Sequence, residues 1–195
     1  MKLFYSRNSP YARIARIAAL ESGRTDIEMV RVQNRAPDSP LLAYSPVCRV
    51  PTLVDGELVL GEAANVWRYL RSLSDSGRPE RRGWPEVAFE SMALGFLEGI
   101  AAWVREHRRE PAERSAFLIE IERRRAGRCL AYFDQRVEAG AAAPWDLAQV
   151  ALVCGLDLMD HYRLVEEWEV DHHRLFAWLD EQRRRPAAKA TRPAD

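Results

Sequence analysis

The hydrophobic pattern over the first part of the chain alternates between strand-like and helix-like segments. Four short apolar-rich runs predict strands: residues 2–5, 27–32, 50–54 and 57–60. Apolar residues recur at a helical period over 11–22 and again over 62–73, and one short turn of helix is expected near Leu41. The last two strands are joined through Asp55-Gly56, a pair that strongly favours a β-hairpin. The predicted order is therefore strand, helix, strand, short helix, strand, strand, helix.

After Pro85 the strand-like pattern gives way to helical periods. Four helices are predicted, at 87–109, 112–139, 146–162 and 172–184. Asp146, with Gln149 three residues later, has the capping-box pattern and opens the third of these helices. The sequence from Pro186 onward is small and polar, so we expect it to fray.

A stretch rich in glycine, proline and charge separates the two halves of the chain. We therefore expect an α/β domain over residues 1–76, a linker over 77–85 and an all-helical domain over 86–195. The chain has 195 residues, which is enough for two small domains, and 47% of them are hydrophobic, which is enough for their cores.

The charge balance gives no reason to expect a nucleic-acid partner. Lys plus Arg equals Asp plus Glu, at 29 each, and arginine runs such as 123–125 are interleaved with acids, as on a solvated helix face. No run approaches the length of a membrane span, and the N-terminal segment lacks the features of a signal peptide. Three widely spaced cysteines fit a reducing compartment and give no metal-site pattern. We expect a cytoplasmic protein with no metal and no membrane partner.

Three strings in the first half resemble segments of the bacterial glutathione S-transferase family. The string 9–13, Ser-Pro-Tyr-Ala-Arg, follows the first strand and is similar to the active-site turn of that family. Residues 45–53 are similar to its Asn-Pro-x-Gly-x-Val-Pro-x-Leu segment, and residues 60–63 are similar to its Leu-x-Glu/Asp-Ser segment. The resemblance implies a thioredoxin-like domain of order βαβαββα that binds glutathione, followed by an all-α helical bundle. It also implies a symmetric homodimer that uses glutathione as a co-substrate and needs no metal.

By this resemblance Ser9 is the candidate catalytic residue, because the family places there the side chain that contacts the glutathione sulfur. A thiolate is the reactive form of a thiol, and a helix N-terminus stabilises an anion through its N–H groups and its dipole. A hydroxyl at that position could donate a hydrogen bond to the sulfur. The alternative is that Ser9 only caps the helix ahead of Pro10. Ser6, nearer the strand, is a weaker candidate for the same role.

Four further residues would hold the tripeptide by the same resemblance: Arg49, Val50, Glu62 and Ala63. The Val50-Pro51 bond is expected to be cis, with the backbone of Val50 paired to the cysteine part of glutathione; otherwise Pro51 only starts a strand. Arg49 would meet a glutathione carboxylate or face water. Glu62 would meet the γ-glutamyl end, or act only as a favourable acid at a helix start.

The chain departs from the family pattern at two of these positions. Ala63 replaces a serine, and the loss of one neutral hydrogen bond costs about 0.5–1.5 kcal/mol of binding. Cys48 replaces a glycine, and a cysteine is strained there if the turn needs a positive φ. Cys48 is either a reactive residue near the ligand or an ordinary loop cysteine.

A second substrate would meet residues in the first helix and in the helix predicted at 87–109. The candidates for this pocket are Tyr11, Phe96, Ile100, Trp103 and Arg105. An apolar stripe at helical spacing is more often part of a core, so both interpretations stay open.

The sequence therefore favours a detoxifying transferase that conjugates glutathione to electrophilic, mostly apolar small molecules, or that reduces peroxides with it. One alternative is a binding or regulatory protein that has kept the fold without the activity, which Ala63 and Cys48 favour. The other is a glutathione-dependent isomerase or dehalogenase that uses the same binding site.

Overall fold

The computed structural model describes residues 1–74, 83–137 and 145–194. The chain divides into two compact units, one made of residues 1–81 with 190–195 and the other of residues 82–189. The linker predicted at 77–85 falls mostly outside the described residues, and a helix already begins at Trp84. The exact domain bounds therefore stay a prediction.

The first unit contains a four-stranded mixed sheet and two α-helices. Its elements are β1 (Lys2–Tyr5), α1 (Pro10–Glu21), β2 (Glu28–Arg31), a 3-10 helix (Pro40–Ala43), β3 (Thr52–Asp55), β4 (Leu58–Gly61) and α2 (Ala63–Ser72). The strand order is β2-β1-β3-β4, with β1 parallel to β2 and antiparallel to β3, and with β3 antiparallel to β4. The predicted βαβαββα order is confirmed.

Helix α1 shows how the local sequence fixes an element. Ser9 caps it and Pro10 occupies its first turn, where a missing N–H costs nothing. Its buried face carries Ile14 and Ile17, both fully buried. Gly23 follows the helix with φ +68°, a left-handed conformation that glycine adopts without strain. Sequence and packing therefore agree on where this helix begins and ends.

The β3–β4 hairpin is tied to α2 by a hydrogen bond. The turn between the strands contains Gly56 at φ +59°, as the Asp-Gly signal predicts. The hydroxyl of Tyr69 on α2 donates to Asp55 Oδ2 at 2.7 Å. This hydrogen bond, followed by burial, raises the pKa of Tyr69 above its ordinary value.

We predict that Tyr69→Phe lowers the free energy of unfolding by about 1 kcal/mol near neutral pH, because it removes one hydrogen bond. Since the fold raises the pKa of Tyr69, the stabilisation is complete below the unfolded pKa of about 10 and is lost as the pH rises past it. Denaturant unfolding at several pH values tests this. Tyr5→Phe is the control, since the Tyr5 contact with Arg16 uses its ring. A difference between wild type and Tyr69→Phe that grew at high pH would contradict the prediction.

Among its described residues, all secondary-structure elements of the second unit are helices. The helices are α3 (Trp84–His107), α4 (Ala116–Asp134), α5 (Leu147–His161), α6 (Trp168–Asp171) and α7 (His173–Arg183), and α8 (Pro186–Ala190) follows them. The helix predicted over 112–139 is shorter than expected, because a 3-10 helix at Pro111–Glu113 precedes the Ser115 cap of α4. Asp146 and Gln149 form the predicted capping box of α5.

The core of the second unit is built on α3. Phe96 is 1% exposed and packs edge-on against Phe133 of α4. Gly155 of α5 gives room for that ring, since a Cβ there would lie 2.8 Å from Phe96 Cε1. Close packing of α3 on α5 therefore depends on this glycine.

The expectation that no run reaches the length of a membrane span is wrong. Among the described residues α3 is long and apolar enough to cross a membrane by length and composition. Half of its apolar window is buried inside the protein. Core helices of soluble proteins have the same property, so α3 alone is weak support for a membrane segment.

The segment after Pro186 is not frayed as predicted. Ala188 is fully buried and Thr191 is 1% exposed. The prediction of fraying rested on the small and polar residues of this segment. Small side chains also fit into packed positions, so they do not by themselves predict disorder. This ordered segment contacts Asn8 and Arg13, which lie close to Ser9 along the chain.

Candidate active site

The sheet register brings three sequence motifs to one edge. Phe4 at the end of β1 pairs with Thr52 at the start of β3, and Thr52 pairs with Gly61 at the end of β4. The loop that contains Ser9 follows β1, the Val50-Pro51 bond precedes β3, and Glu62 follows β4. All three motifs of the family resemblance therefore lie at the same edge of the sheet.

Ser9 is the N-cap of α1 and is partly buried. Its Oγ accepts a hydrogen bond from the Ala12 N–H at 3.1 Å. The backbone of Ser9 is extended, with φ −75° and ψ 117°. The capping role that sequence analysis left as an alternative is thus present. A hydroxyl that accepts one bond can still donate its own proton, and the accepted N–H makes it a better donor. Capping and sulfur contact are compatible roles for Ser9.

The segment before β3 presents backbone at this edge. The Val50-Pro51 peptide bond is cis. The Thr52 hydroxyl, itself buried, donates to the Arg49 carbonyl oxygen at 2.7 Å and so ties that residue to the strand. Pro51 is buried, Val50 is half-buried, and Arg49 is exposed. Of these three residues, only Arg49 has an exposed side chain, which can meet a charged group from solvent.

Cys48 has the strained conformation that the sequence analysis considered. Its φ is +48°, in the left-handed region that favours the glycine of the family pattern. Its Sγ donates to the Asn34 carbonyl oxygen at 3.2 Å, and its side chain packs on a cluster that contains Phe4 and Leu41. These contacts are those of a structural cysteine rather than of a reactive one.

Glu62 and Ala63 open helix α2. Glu62 is the N-cap, at φ +61° and ψ +127°, and it is exposed. Its carbonyl oxygen accepts from the N–H groups of Asn65 and Val66, both at 3.1 Å. The N–H groups of the first helical residues, Ala63 and Ala64, point out of the helix end, where they can bind an anion. The exposed carboxylate of Glu62 lies beside them, where it can bind a cation.

The residues proposed for the second-substrate pocket differ in their burial. Phe96 and Ile100 are each 1% exposed and Trp103 is 6% exposed, so all three lie in the core of the second unit. Phe96 contacts Phe133, which is the packing of a core residue. For these residues the core alternative describes the packing better. Tyr11 is half-buried in the first turn of α1, and Arg105 is exposed near the end of α3.

Two residues near the candidate site were missed by sequence reasoning. Asn8, directly before Ser9, exchanges hydrogen bonds with the backbone of Ala194. Arg13, one turn further along α1, is 2% exposed and donates to Thr191. The only sequence signal was the string 9–13, which contains Arg13 without indicating its partner.

Two further observations concern the cysteines and the possible metal ligands of the described residues. Burial raises the pKa of the Cys129 thiol, which disfavours its thiolate. Among the described residues no group of three or more His, Cys, Asp and Glu side chains could hold a metal ion.

Comparison with known proteins agrees with this fold. Residues 3–79 match the family model described as glutathione S-transferase, N-terminal domain. The chain is 24% identical over 202 residues to an uncharacterized GST-like protein, YibF, of Escherichia coli K12, and the match covers 99% of this chain and 98% of that one.

Solved structures extend the similarity over the whole chain. A glutathione transferase family member from Pseudomonas fluorescens Pf-5, with bound glutathione, is 27% identical with a TM-score of 0.86, covering 100% of this chain and 99% of that one. A glutathione S-transferase from Methylobacillus flagellatus KT, with glutathione bound, is 24% identical at the same TM-score, covering 99% of each chain.

The fold and the matches together define a protein with a thioredoxin-like domain followed by a helical domain, which is the fold of glutathione transferases. Residues 3–79 match the glutathione S-transferase N-terminal domain, and the whole chain has the fold of solved glutathione transferase family members.

Proposed function

We propose that this protein binds glutathione at the sheet edge of the first unit and transfers it to electrophilic, mostly apolar small molecules. The observation that carries the proposal is the register Phe4, Thr52, Gly61, which brings Ser9, Val50-Pro51 and Glu62 to one edge. The bound glutathione in the Pseudomonas fluorescens relative supports the same ligand.

Each part of the tripeptide has a matching group at this edge. Val50 offers backbone N–H and C=O groups to the cysteine part, as an added strand would. Glu62 pairs with the γ-glutamyl ammonium, while the N–H groups at the start of α2 bind its carboxylate. Arg49 is the exposed cation for the remaining carboxylate. The sulfur then lies against Ser9.

The proposed reaction requires only two contributions from the protein, a stabilised thiolate and a well-placed electrophile. Stabilising the thiolate at the start of α1 raises the fraction of reactive nucleophile without a general base. Holding the electrophile beside the sulfur supplies the rest of the rate through proximity. Peroxide reduction would use the same thiolate. We propose also that the enzyme is cytoplasmic, homodimeric and detoxifying.

Calorimetric titration with glutathione, followed by turnover of a panel of model electrophiles and peroxides, tests the proposal. We expect saturable binding and measurable conjugation. Binding weaker than millimolar, with no turnover, would instead favour a non-catalytic binding protein, the alternative that Ala63 and the strained Cys48 support. Binding with turnover only of isomerisable or halogenated substrates would indicate the isomerase or dehalogenase alternative.

We predict that Ala63→Ser increases glutathione affinity about three- to tenfold, because it restores one hydroxyl donor worth about 0.5–1.5 kcal/mol. The matched control is Ala64→Ser, which makes the same chemical change one residue further along α2. Calorimetry on both variants measures the effect. An equal gain in both, or none in Ala63→Ser, would contradict the assignment of the γ-glutamyl site.

A further inference from the structure

The last described residues of the chain are attached to the loop that carries Ser9. The Asn8 Nδ2 group donates to the Ala194 carbonyl oxygen at 2.9 Å, and the Ala194 N–H donates back to Asn8 Oδ1 at 3.4 Å. The amide nitrogen and the amide oxygen of Asn8 therefore both form hydrogen bonds with the backbone of Ala194. The first distance is that of an ordinary hydrogen bond and the second is at the long end of the range, so the Nδ2 bond is the stronger of the two. A rotation of the Asn8 side chain would break both, so this contact restricts the position of Asn8.

A second attachment lies one helical turn away. The Arg13 Nε donates to Thr191 Oγ1 at 3.2 Å, and both residues are buried, at 2% and 1% exposure. Asn8, Arg13 and the segment 190–194 all belong to the first unit. The segment is therefore fixed at two points that bracket Ser9 along the chain.

The loop between β1 and α1 has a weak internal bond. The Ser9 N–H meets the Ser6 carbonyl oxygen at 3.4 Å, at the long end of hydrogen-bond distances. The orientation of the Ser9 hydroxyl therefore depends on its own cap bond and on the neighbours that hold the loop. A catalytic group needs its productive geometry to within about half an ångström, which supporting contacts must supply.

We propose that Asn8, held by residues 190–194, is a positioning residue that acts through Ser9. The inference rests on the proposed function for Ser9 and adds to it a structural element far away in the sequence. The segment keeps the Ser9 hydroxyl aimed at the glutathione sulfur and so keeps the pKa of the bound thiol low.

The test compares four single variants of the full chain: Asn8→Ala, Thr191→Val, Thr191→Ser and Tyr69→Phe. Asn8→Ala removes both contacts with Ala194, and Thr191→Val removes the acceptor for Arg13. Thr191→Ser keeps the hydroxyl and should rescue the effect. Tyr69→Phe is the control, since it loses one hydrogen bond of the same unit elsewhere. Turnover, the pKa of bound glutathione and amide hydrogen exchange over residues 8–12 are measured.

In Asn8→Ala we expect a fall in kcat of about five- to tenfold and a rise in the pKa of the bound thiol by about half a unit to one unit, as the loss of about one hydrogen bond would produce. Thr191→Val changes both in the same direction, whereas Thr191→Ser and Tyr69→Phe leave both near the wild-type values. In a Ser9→Ala background, Asn8→Ala has no further effect on the thiol pKa, because it acts through that hydroxyl.

The proposal is overturned if Asn8→Ala changes only the stability, as Tyr69→Phe does, or if its effect on the thiol pKa is unaltered in the Ser9→Ala background. A wild-type protein that does not bind glutathione contradicts the proposed function instead. Hydrogen exchange then decides the structural claim. Faster exchange over 8–12 in Asn8→Ala than in Tyr69→Phe supports the attachment, and equal exchange contradicts it.

Discussion

Replacing Ser9 by alanine should lower kcat/KM for glutathione conjugation by about ten- to a hundredfold. The reason is the loss of a hydrogen bond to a charged sulfur, a bond worth about 1.5–3 kcal/mol. The variant also raises the pKa of the bound thiol. When the pH is lowered, the thiolate is therefore protonated, and activity is lost, at a higher pH in the variant than in the wild type. Steady-state kinetics across a range of pH values measure both effects.

Two variants separate catalysis from capping. Ser9→Ala also removes the bond from the Ala12 N–H, which costs about 1 kcal/mol of stability as lost N-caps do, so unfolding is measured alongside activity. Ser9→Thr keeps the hydroxyl and should retain most of the turnover. Ser6→Ala makes the same change in the same loop and should behave as the wild type. A loss in Ser6→Ala with full activity in Ser9→Ala would transfer the role to Ser6.

Asp157→Ala should lower the free energy of unfolding by about 1.5–3 kcal/mol, because it removes the buried one of the two carboxylates that pair with the Arg183 guanidinium, the other being Asp160. The Arg183 Nε donates to Asp157 Oδ1 at 2.6 Å, with side-chain exposures of 13% and 1%. Burial alone would lower the pKa of Arg183, but the charge of Asp157 and the hydrogen bonds to Asp160 and Asp157 raise it. Chemical denaturation of the two proteins measures the difference.

The adjacent ion pair supplies the control for this prediction. Asp180 of α7 pairs at 2.5 Å with Arg184, the residue that follows the helix, but their side chains are 50% and 77% exposed. Asp180→Ala should therefore cost less than about 1 kcal/mol, as exposed pairs do. Equal losses in Asp157→Ala and Asp180→Ala would show that burial does not set the strength of these pairs.

Local sequence signals identified the elements of the first unit. The Asp55-Gly56 turn defined the β3–β4 hairpin, and Ser9-Pro10 together with Gly23 bounded α1. These features depend on a few neighbouring residues, so they are visible in the sequence. The sheet register, which these local signals do not give, brings the three motifs to one edge.

Other features depend on contacts that no local pattern encodes. Asn8 and Ala194 are separated by 186 positions, and nothing near either residue predicts the partner. The short helices α6 and α8 have four and five residues, too few to show a helical period. The period of α3 identified an apolar face through Phe96 and Ile100, but it could not say whether a ligand or another helix covers that face.

The pH titration of glutathione bound to the wild-type protein, followed by the ultraviolet absorbance of its thiolate, tests the central claim most directly. We predict a bound thiol pKa well below the value of about 8.5 for a free cysteine thiol, and a rise toward that value in Ser9→Ala. A bound thiol that titrates like the free one, or that titrates identically in the two proteins, would contradict thiolate stabilisation by Ser9.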